Sequence, residues 1–196
     1  VKAQAKCTTD HISMAGPWLK YRGHLENISG NLFLGAVNAF TGVAGEGKDP
    51  VDGTTKSFPD VMSSLHAAGR GWVAVGDENY GEGSSREHAA MEPRFRNCKA
   101  VFARSFARIA ETNLKKQGVL ALTFADPASY DLIGEDDTIS ILGLASLAPD
   151  KPVRCRINRS GGSSVDFEAT HTLSNDQIEW FYAGSALNII RQKRGG

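Results

Sequence analysis

The middle of the chain alternates short apolar runs with stretches that repeat apolar residues at helical spacing. Apolar runs bounded by turn-forming residues predict strands over 72–75, 100–103 and 119–124. Helical patterns predict helices over 61–69, 87–92 and 106–117, with Gly118 as the terminator of the last. Strands and helices that alternate in this way are typical of a parallel α/β layer.

The last third of the chain has a different pattern. Runs of β-forming residues over 138–142, 153–157 and 165–171 are separated by proline and glycine, which predicts antiparallel strands. Ser174 then opens a final helix that runs through Phe181 to Ile190. The predicted fold class is α/β, with a β-rich part attached to the α/β layer, mixed parallel and antiparallel strands, and flanking helices.

The first part of the chain lacks a sustained period. Residues 7–31 are rich in turn formers and predict an ordered loop region with short helical turns near Trp18. Residues 32–40 predict a short helix or an extended segment, and 41–60, with its glycines, prolines and charges, predicts an exposed loop. The length of 196 residues suits a single domain over 1–196.

Composition narrows the classes of function. With 22 basic and 22 acidic residues the formal net charge is zero, which argues against a broad polyanion-binding face and a nucleic-acid partner. Cys7, Cys98 and Cys155 are far apart and form no Cys-x-x-Cys pair, so neither a disulfide framework nor a self-contained metal site is indicated. We therefore expect a reducing compartment and no membrane, since no apolar stretch reaches membrane length.

The start of the chain also carries information. Val1 stands directly before a polar motif, and no signal or transit peptide is visible. We therefore expect this sequence to be a piece of a longer protein.

The stretch 76–87 is the strongest candidate for a functional site. It passes from a strand through a glycine-rich turn to a helix start, an arrangement that directs unpaired N–H groups towards an anion. Ser84 and Glu87 have the spacing of a capping box, while Gly81 and Gly83 permit positive φ and close ligand approach. With Arg86 beside the two serines, the stretch predicts a site for a small carboxylate that is to be deprotonated.

Other interpretations of this stretch are weaker or less specific. The pattern lacks the third glycine of a dinucleotide fingerprint, the Gly-Lys-Ser/Thr of a phosphate loop and the flanking glycines of a nucleophile elbow. An ordinary capped helix after a loop remains the alternative, because capping boxes are common.

Three further places carry candidate chemistry. In the polar cluster 7–13, Asp10 could orient a hydroxyl or an arginine, or could merely satisfy backbone groups of its own loop. Arg22 could clamp a carboxylate with its planar fork, or could be solvated at the surface. Arg104 and Arg108 could bind an anion, or could form an ion pair with Glu111.

The stretch 76–87 and the segments around Asp10, Arg22 and Arg108 resemble the C-terminal domain of aconitases. The similarity is greatest to aconitases of the mitochondrial type. Matching blocks follow one order through nearly the whole chain, least clearly over 41–60. The blocks are 6–13, 16–19, 21–25, 27–29, 76–90, 105–109, 111–118, 177–181 and 184–188.

The resemblance implies the swivelling β/β/α domain, which closes over a cluster-bearing body. It implies isomerisation of citrate to isocitrate through cis-aconitate. By position, Ser84 matches the catalytic base, and the substrate-binding residues match Arg22, Ser85 and Arg86. The supporting positions are Asp10, His11 and Glu87.

The resemblance also implies a [4Fe–4S] cluster whose cysteine ligands belong to the other domains. None of Cys7, Cys98 and Cys155 falls on a ligand position of the family, so we expect this chain to bind no metal itself. The expected partners are the cluster-bearing domains, joined covalently or as a subunit, and a tricarboxylate substrate. The expected location is the mitochondrial matrix, with the cytoplasm as the alternative.

Some residues depart from the family pattern. Ala110 stands where many aconitases have histidine, and the stretch 94–98 replaces a glycine-containing turn. A domain that acts on homocitrate is therefore an alternative. An RNA-binding role and a non-catalytic assembly role are two others, against which stand the zero net charge and the intact Ser84, Arg86 and Arg22.

Overall fold

A computed structural model describes residues 1–195 of the chain. Its strands are β1 (Glu46–Lys48), β2 (Thr55–Ser57), β3 (Trp72–Gly76), β4 (Cys98–Ala103), β5 (Leu120–Phe124), β6 (Thr138–Ile141), β7 (Val153–Asn158) and β8 (Ser164–Thr170). Its α-helices are α1 (Thr9–Ile12), α2 (Leu25–Ile28), α3 (Phe58–Ala67), α4 (His88–Phe95), α5 (Arg108–Lys116), α6 (Ser129–Leu132), α7 (Asn175–Ala183) and α8 (Ala186–Lys193). Short 3-10 helices occupy Gly16–Tyr21, Ser29–Asn31 and Leu144–Ser146. None of the helices within residues 1–195 has the length and apolar character needed to span a bilayer.

Strands β3 to β8 form one six-stranded sheet in the order β3-β4-β5-β8-β7-β6, and β1 pairs with β2 in a separate hairpin. The first three strands of the sheet are parallel, as the alternating pattern predicts. In β4, Val101 and Ala103 enter the hydrophobic cluster on one face, and Ala100 and Phe102 enter the cluster on the other. Because both faces are covered, residues 100–103 of β4 form a continuous apolar run.

The β-rich last third joins the same sheet. Strands β6, β7 and β8 are antiparallel to one another, which confirms the prediction from their sequence. The β-rich part is attached to the α/β layer, as predicted, and the attachment is a direct pairing of β8 with β5 through Phe124 and Ala169. This antiparallel pairing makes the two parts one mixed sheet.

The segments 32–40 and 41–60 differ from their predictions. Residues 32–40 form neither a helix nor a strand, and Phe33 adopts a left-handed turn with φ of 60°. Residues 41–60 are largely exposed, as expected of a loop, but they contain the β1–β2 hairpin and the start of α3. The buried carboxylate of Asp49 stabilises this hairpin, because it binds the Lys56 ammonium at 2.7 Å.

The predicted single helix at the end of the chain is two helices, α7 and α8. The break is at Gly184, whose φ is 92°. Gly184 packs against Gly118, the predicted terminator of α5: a Cβ atom on Gly118 would lie 2.2 Å from the Gly184 carbonyl oxygen. The two glycines therefore allow backbone to approach backbone, and the sequence signal for the end of α5 is confirmed.

Candidate active site

The candidate site lies at the carboxyl ends of the parallel strands. The loop 77–87 follows β3 and the turn 104–107 follows β4, so both leave the sheet at the same edge, where ligands of α/β folds commonly bind. Tyr80 joins them, since its N–H donates to the Ser105 carbonyl at 2.9 Å and its own carbonyl accepts the Ala107 N–H at 3.0 Å. One side of the loop is thus attached to the β4 turn.

The other side of the loop is attached to the segment that begins α1. The Gly81 N–H donates to the Cys7 carbonyl at 2.7 Å, and the Thr9 N–H donates to the Glu82 carbonyl at 2.9 Å. Gly81 and Gly83 both have the positive φ expected of them. Protein atoms already fill the space beside Gly81, because a Cβ atom there would lie 2.3 Å from the Ala110 Cβ. Gly81 therefore serves close packing of the loop on α5.

We expect Gly81→Ala to lower the free energy of unfolding by about 2–4 kcal/mol, because the left-handed backbone and the contact with Ala110 both penalise the methyl group. Gly53→Ala is the matched control, since Gly53 has φ of 78° and no atom within 4 Å of the Cβ position. The control should lose only about 1–2 kcal/mol. Urea unfolding followed by circular dichroism measures both losses, and equal losses would refute the packing role.

The capping box predicted from Ser84 and Glu87 is wrong. Helix α4 begins at His88, with Glu87 in the N-cap position and no side chain capping the helix. Arg86 fixes the chain just before the helix, because its side chain binds the α1 segment and its carbonyl accepts the N–H of Ala89, the second residue of α4. Ser84 is exposed in the loop ahead of α4. Within residues 1–195, the N–H groups of 83–88 have no protein acceptor and can meet an anion.

Arg86 is the most firmly held cationic group of the site. One terminal nitrogen, Nη2, lies 2.6 Å from Oδ1 of Asp10, and Nη1 donates to the Ser13 carbonyl at 2.7 Å. Asp10 and Ser13 stand at the two ends of α1, so this short helix presents two acceptors to one guanidinium. The Arg86 side chain is 17% exposed. Its planar guanidinium group, the Arg86 fork, has further N–H donors that can bind a ligand. Asp10 thus orients an arginine, one of the two functions considered for it.

The other predicted site residues lie around Arg86 and Asp10 without such close contacts. Ser85 and Glu87 are exposed on the loop. Arg22 is exposed after the 3-10 helix Gly16–Tyr21, and its carbonyl accepts from His88 Nε2 at 3.0 Å, which places its backbone beside the start of α4. His11 acts locally, since its Nδ1 accepts the Thr8 N–H at 3.1 Å.

Ser84 and Arg86 line one cavity of about 280 Å³ together with the first turn of α5. Sequence reasoning missed two of its walls, Thr9 and Tyr80, whose buried oxygen atoms have no hydrogen-bond partner within residues 1–195. Burial raises the pKa of the Tyr80 phenol well above its usual range, so the group stays protonated. Both residues lie in stretches that the sequence singles out, 7–13 and 76–87, but only the fold shows that their oxygen atoms are buried.

Arg104 and Arg108 have different surroundings. Arg108 lines the same cavity as Ser84 and is exposed. Arg104 binds Asp77 at 2.9 Å and Asp131 at 2.8 Å, and not Glu111, the partner considered as the alternative to an anion. Glu111 instead pairs with Lys115, one turn along α5.

The three cysteines do not fit a metal site. Cys7 and Cys98 lie in one hydrophobic cluster and Cys155 lies in the other. Burial raises the pKa of each thiol to about 12, whereas metal ligation requires thiolates. Among residues 1–195 no group of three or more His, Cys, Asp and Glu side chains could hold a metal ion.

Fold and site together define a swivel-type α/β domain, in which loops at one sheet edge carry serines and an oriented arginine. A solved structure of 3-isopropylmalate dehydratase from Methanocaldococcus jannaschii has this fold: the TM-score is 0.56 at 19% identity, covering 98% of this chain and 92% of that one. The chain belongs to the aconitase family, since residues 1–127 match the family model of the aconitase C-terminal domain.

Relatives extend the match beyond residue 127. The chain is 58% identical over 191 residues to the mitochondrial aconitate hydratase of Saccharomyces cerevisiae, covering 97% of this chain. It is 56% identical over 192 residues to a probable mitochondrial aconitate hydratase of Caenorhabditis elegans, covering 98% of this chain. In both cases the chain spans only 25% of the relative's length. The family uses a [4Fe–4S] cluster, which the buried cysteines of this chain do not fit.

Proposed function

We propose that this chain is the substrate-closing domain of an aconitate hydratase that interconverts citrate and isocitrate through cis-aconitate. The observation that carries the proposal is the Arg86 fork, oriented by Asp10 and Ser13 on the cavity that Ser84 lines. The names of relatives that match nearly the whole chain support the same activity. The matched relatives are mitochondrial, which supports a location in the mitochondrial matrix.

In this proposal Ser84 removes the proton beside a substrate carboxylate. A serine hydroxyl is a weak base at neutral pH, so its anion needs hydrogen-bond donors. The free N–H groups of 83–88 and the guanidinium of Arg86 can supply them. Because these donors are held by the loop and by α1 before substrate arrives, they need little reorganisation during the reaction.

The other predicted residues bind or support. Arg86 and Ser85 bind a substrate carboxylate from the loop, and Arg22 adds a second arginine from the segment beside His88. Two arginines suit a tricarboxylate, because charge-assisted hydrogen bonds are worth about 1.5–3 kcal/mol each. Asp10 supports Arg86 directly, whereas His11 and Glu87 support the α1 segment and the loop.

The cluster and its ligands belong to other domains in this proposal. The relatives are about four times as long as this chain, which leaves ample length for cluster-bearing domains, attached covalently or as a partner subunit. The cluster supplies a Lewis acid for the hydroxyl leaving group when it is bound there. This chain contributes the base and the carboxylate-binding groups.

We therefore expect the purified 196-residue chain to form no measurable cis-aconitate from citrate. The same sequence joined to cluster-loaded partner domains should be active, since both halves of the site are then present. Ultraviolet absorbance of cis-aconitate measures both preparations. Turnover by the isolated chain would disprove this division of the site between domains.

A second substrate, homocitrate, is favoured by one observation. Ala110, which stands where many aconitases have histidine, contributes only a methyl group to the wall of the cavity, and a smaller wall suits a substrate that is longer by one methylene group. The ratio of kcat/KM for citrate and homocitrate in the complete enzyme distinguishes the two substrates. A ratio in favour of homocitrate would replace citrate in the proposal and leave the roles of Ser84 and Arg86 unchanged.

A further inference from the structure

Glu92 has a carboxyl group that the proposed reaction does not use. It lies in the second turn of α4 and is fully buried, at 0% exposure. Its Oε1 accepts the Ser13 hydroxyl at 2.6 Å, and its Oε2 has no hydrogen-bond partner within residues 1–195. Burial raises the pKa of this carboxyl to about 8, although the bond from Ser13 opposes the shift. Burial of a carboxyl group costs free energy of folding, and the hydrogen bond from Ser13 offsets part of that cost.

Ser13 connects this carboxyl to the candidate site. Its hydroxyl donates to Glu92, its N–H donates to the Thr9 carbonyl at 2.9 Å, and its carbonyl accepts from Arg86 at 2.7 Å. The residue is only 1% exposed. Every polar group of Ser13 is therefore engaged, and the direction of its carbonyl is set by bonds to α1 and α4.

Arg86 and Glu92 belong to the same stretch of chain, one just before α4 and the other within it. They bind Ser13 from two sides, Glu92 through the hydroxyl and Arg86 through the carbonyl. The contact thus fastens the end of α1 to α4. The same contact determines where the guanidinium of Arg86 finds its second acceptor.

We propose that Glu92 is a positioning residue for substrate binding, because its carboxyl holds Ser13 in the orientation in which the Ser13 carbonyl aligns the Arg86 fork. Glu92 lies away from the substrate and acts through Ser13 alone. The inference rests on the proposed function, since it takes Arg86 as a substrate-binding residue. Without the Ser13 carbonyl, the Arg86 guanidinium has Asp10 as its remaining partner among the described residues, and the Asp10 side chain is 65% exposed.

The test uses the complete, cluster-loaded enzyme that contains this chain. Glu92→Leu removes the acceptor, Ser13→Ala removes the donor but keeps the carbonyl, and Glu92→Gln keeps an acceptor for the hydroxyl. We expect KM for citrate to rise about 5–10-fold in Glu92→Leu and Ser13→Ala, the loss of one hydrogen bond, with kcat within about twofold. Glu92→Gln should restore KM to within about twofold of the unchanged enzyme.

Asp49→Asn is the matched control, since Asp49 is an equally buried carboxylate that binds Lys56 in the β1–β2 hairpin. It should lower Tm without changing KM. If Ser13→Ala and Glu92→Leu likewise lower Tm and leave KM unchanged, Glu92 is a structural residue only and the inference is overturned. Ser13→Ala keeps the test decisive even if Glu92→Leu does not fold.

Coupling to Arg86 separates this inference from the proposed function. In an Arg86→Lys background, Glu92→Leu should raise KM by less than about twofold, because interactions that share a partner are not additive. Full additivity would overturn the route through Arg86. If Arg86→Lys raises KM while Glu92→Leu and Ser13→Ala do not, only the inference fails. If Arg86→Lys itself leaves KM unchanged, the proposed function fails and the inference with it.

Discussion

Replacing Ser84 by alanine in the complete enzyme is expected to lower kcat by about 10²–10⁴-fold, the usual contribution of a positioned general base. KM for citrate should stay within about twofold, because the change removes a proton acceptor and leaves the carboxylate-binding groups in place. Ser84 is exposed in the loop ahead of α4, so the substitution should not disturb packing. Steady-state kinetics with citrate and with isocitrate measure both parameters.

Ser85→Ala is the matched control for this experiment. Ser85 is a neighbouring exposed serine of the same loop, and the proposal gives it a binding function. It should therefore raise KM by a few-fold, about the value of one hydrogen bond, and leave kcat nearly unchanged. Retention of full kcat in Ser84→Ala, or an equal loss in both variants, would remove Ser84 as the base.

Replacing Arg86 by lysine is expected to raise KM for citrate by about 10–100-fold, the loss of one charge-assisted contact of about 1.5–3 kcal/mol. The positive charge is kept, but an ammonium cannot reproduce a planar fork that binds Asp10, the Ser13 carbonyl and a carboxylate at once. The expected effect therefore separates geometry from charge. Binding of citrate and steady-state kinetics should agree on the size of the loss.

Arg156→Lys controls for the general effect of losing a guanidinium fork. Arg156 forms two hydrogen bonds with Asp166, at 2.6 and 3.0 Å, on the antiparallel part of the sheet. Because this pair is half-exposed, we expect no change in KM and a small change in Tm. An unchanged KM in Arg86→Lys would contradict the substrate-binding function of Arg86.

Local pattern was sufficient for much of the fold. The apolar run of β4 predicts a strand because both of its faces are buried, and Gly118 marks the end of α5 because a left-handed residue ends a helix. The pairing of strands across the sheet could not be predicted in this way. The contact between β5 and β8 joins residues that are far apart in the sequence, and no local period records it.

Local pattern failed where a distant contact decides the backbone. The spacing of Ser84 and Glu87 is that of a capping box, yet the loop before α4 is held by bonds from Arg86 to α1. The break at Gly184 is different, because its signal is local: the left-handed Gly184 ends α7 and the Ser185 side chain caps α8, and the sequence prediction overlooked both. At Ser84 the tertiary contact overrides the local preference, which is worth only about 1 kcal/mol.

The residue types of the site can be read from the chain: two serines and an arginine follow a glycine turn, and a carboxylate stands in an early polar cluster. The sequence does not show which of these residues contact one another. Arg86 and the Ser13 carbonyl are 73 positions apart, and Ser13 and Glu92 are 79 apart. The sequence determined which chemical groups are available, because these are properties of single residues. The tertiary structure alone decided which of them share a cavity and which hold the arginine, because hydrogen bonds act only over about 3 Å and the fold sets those distances.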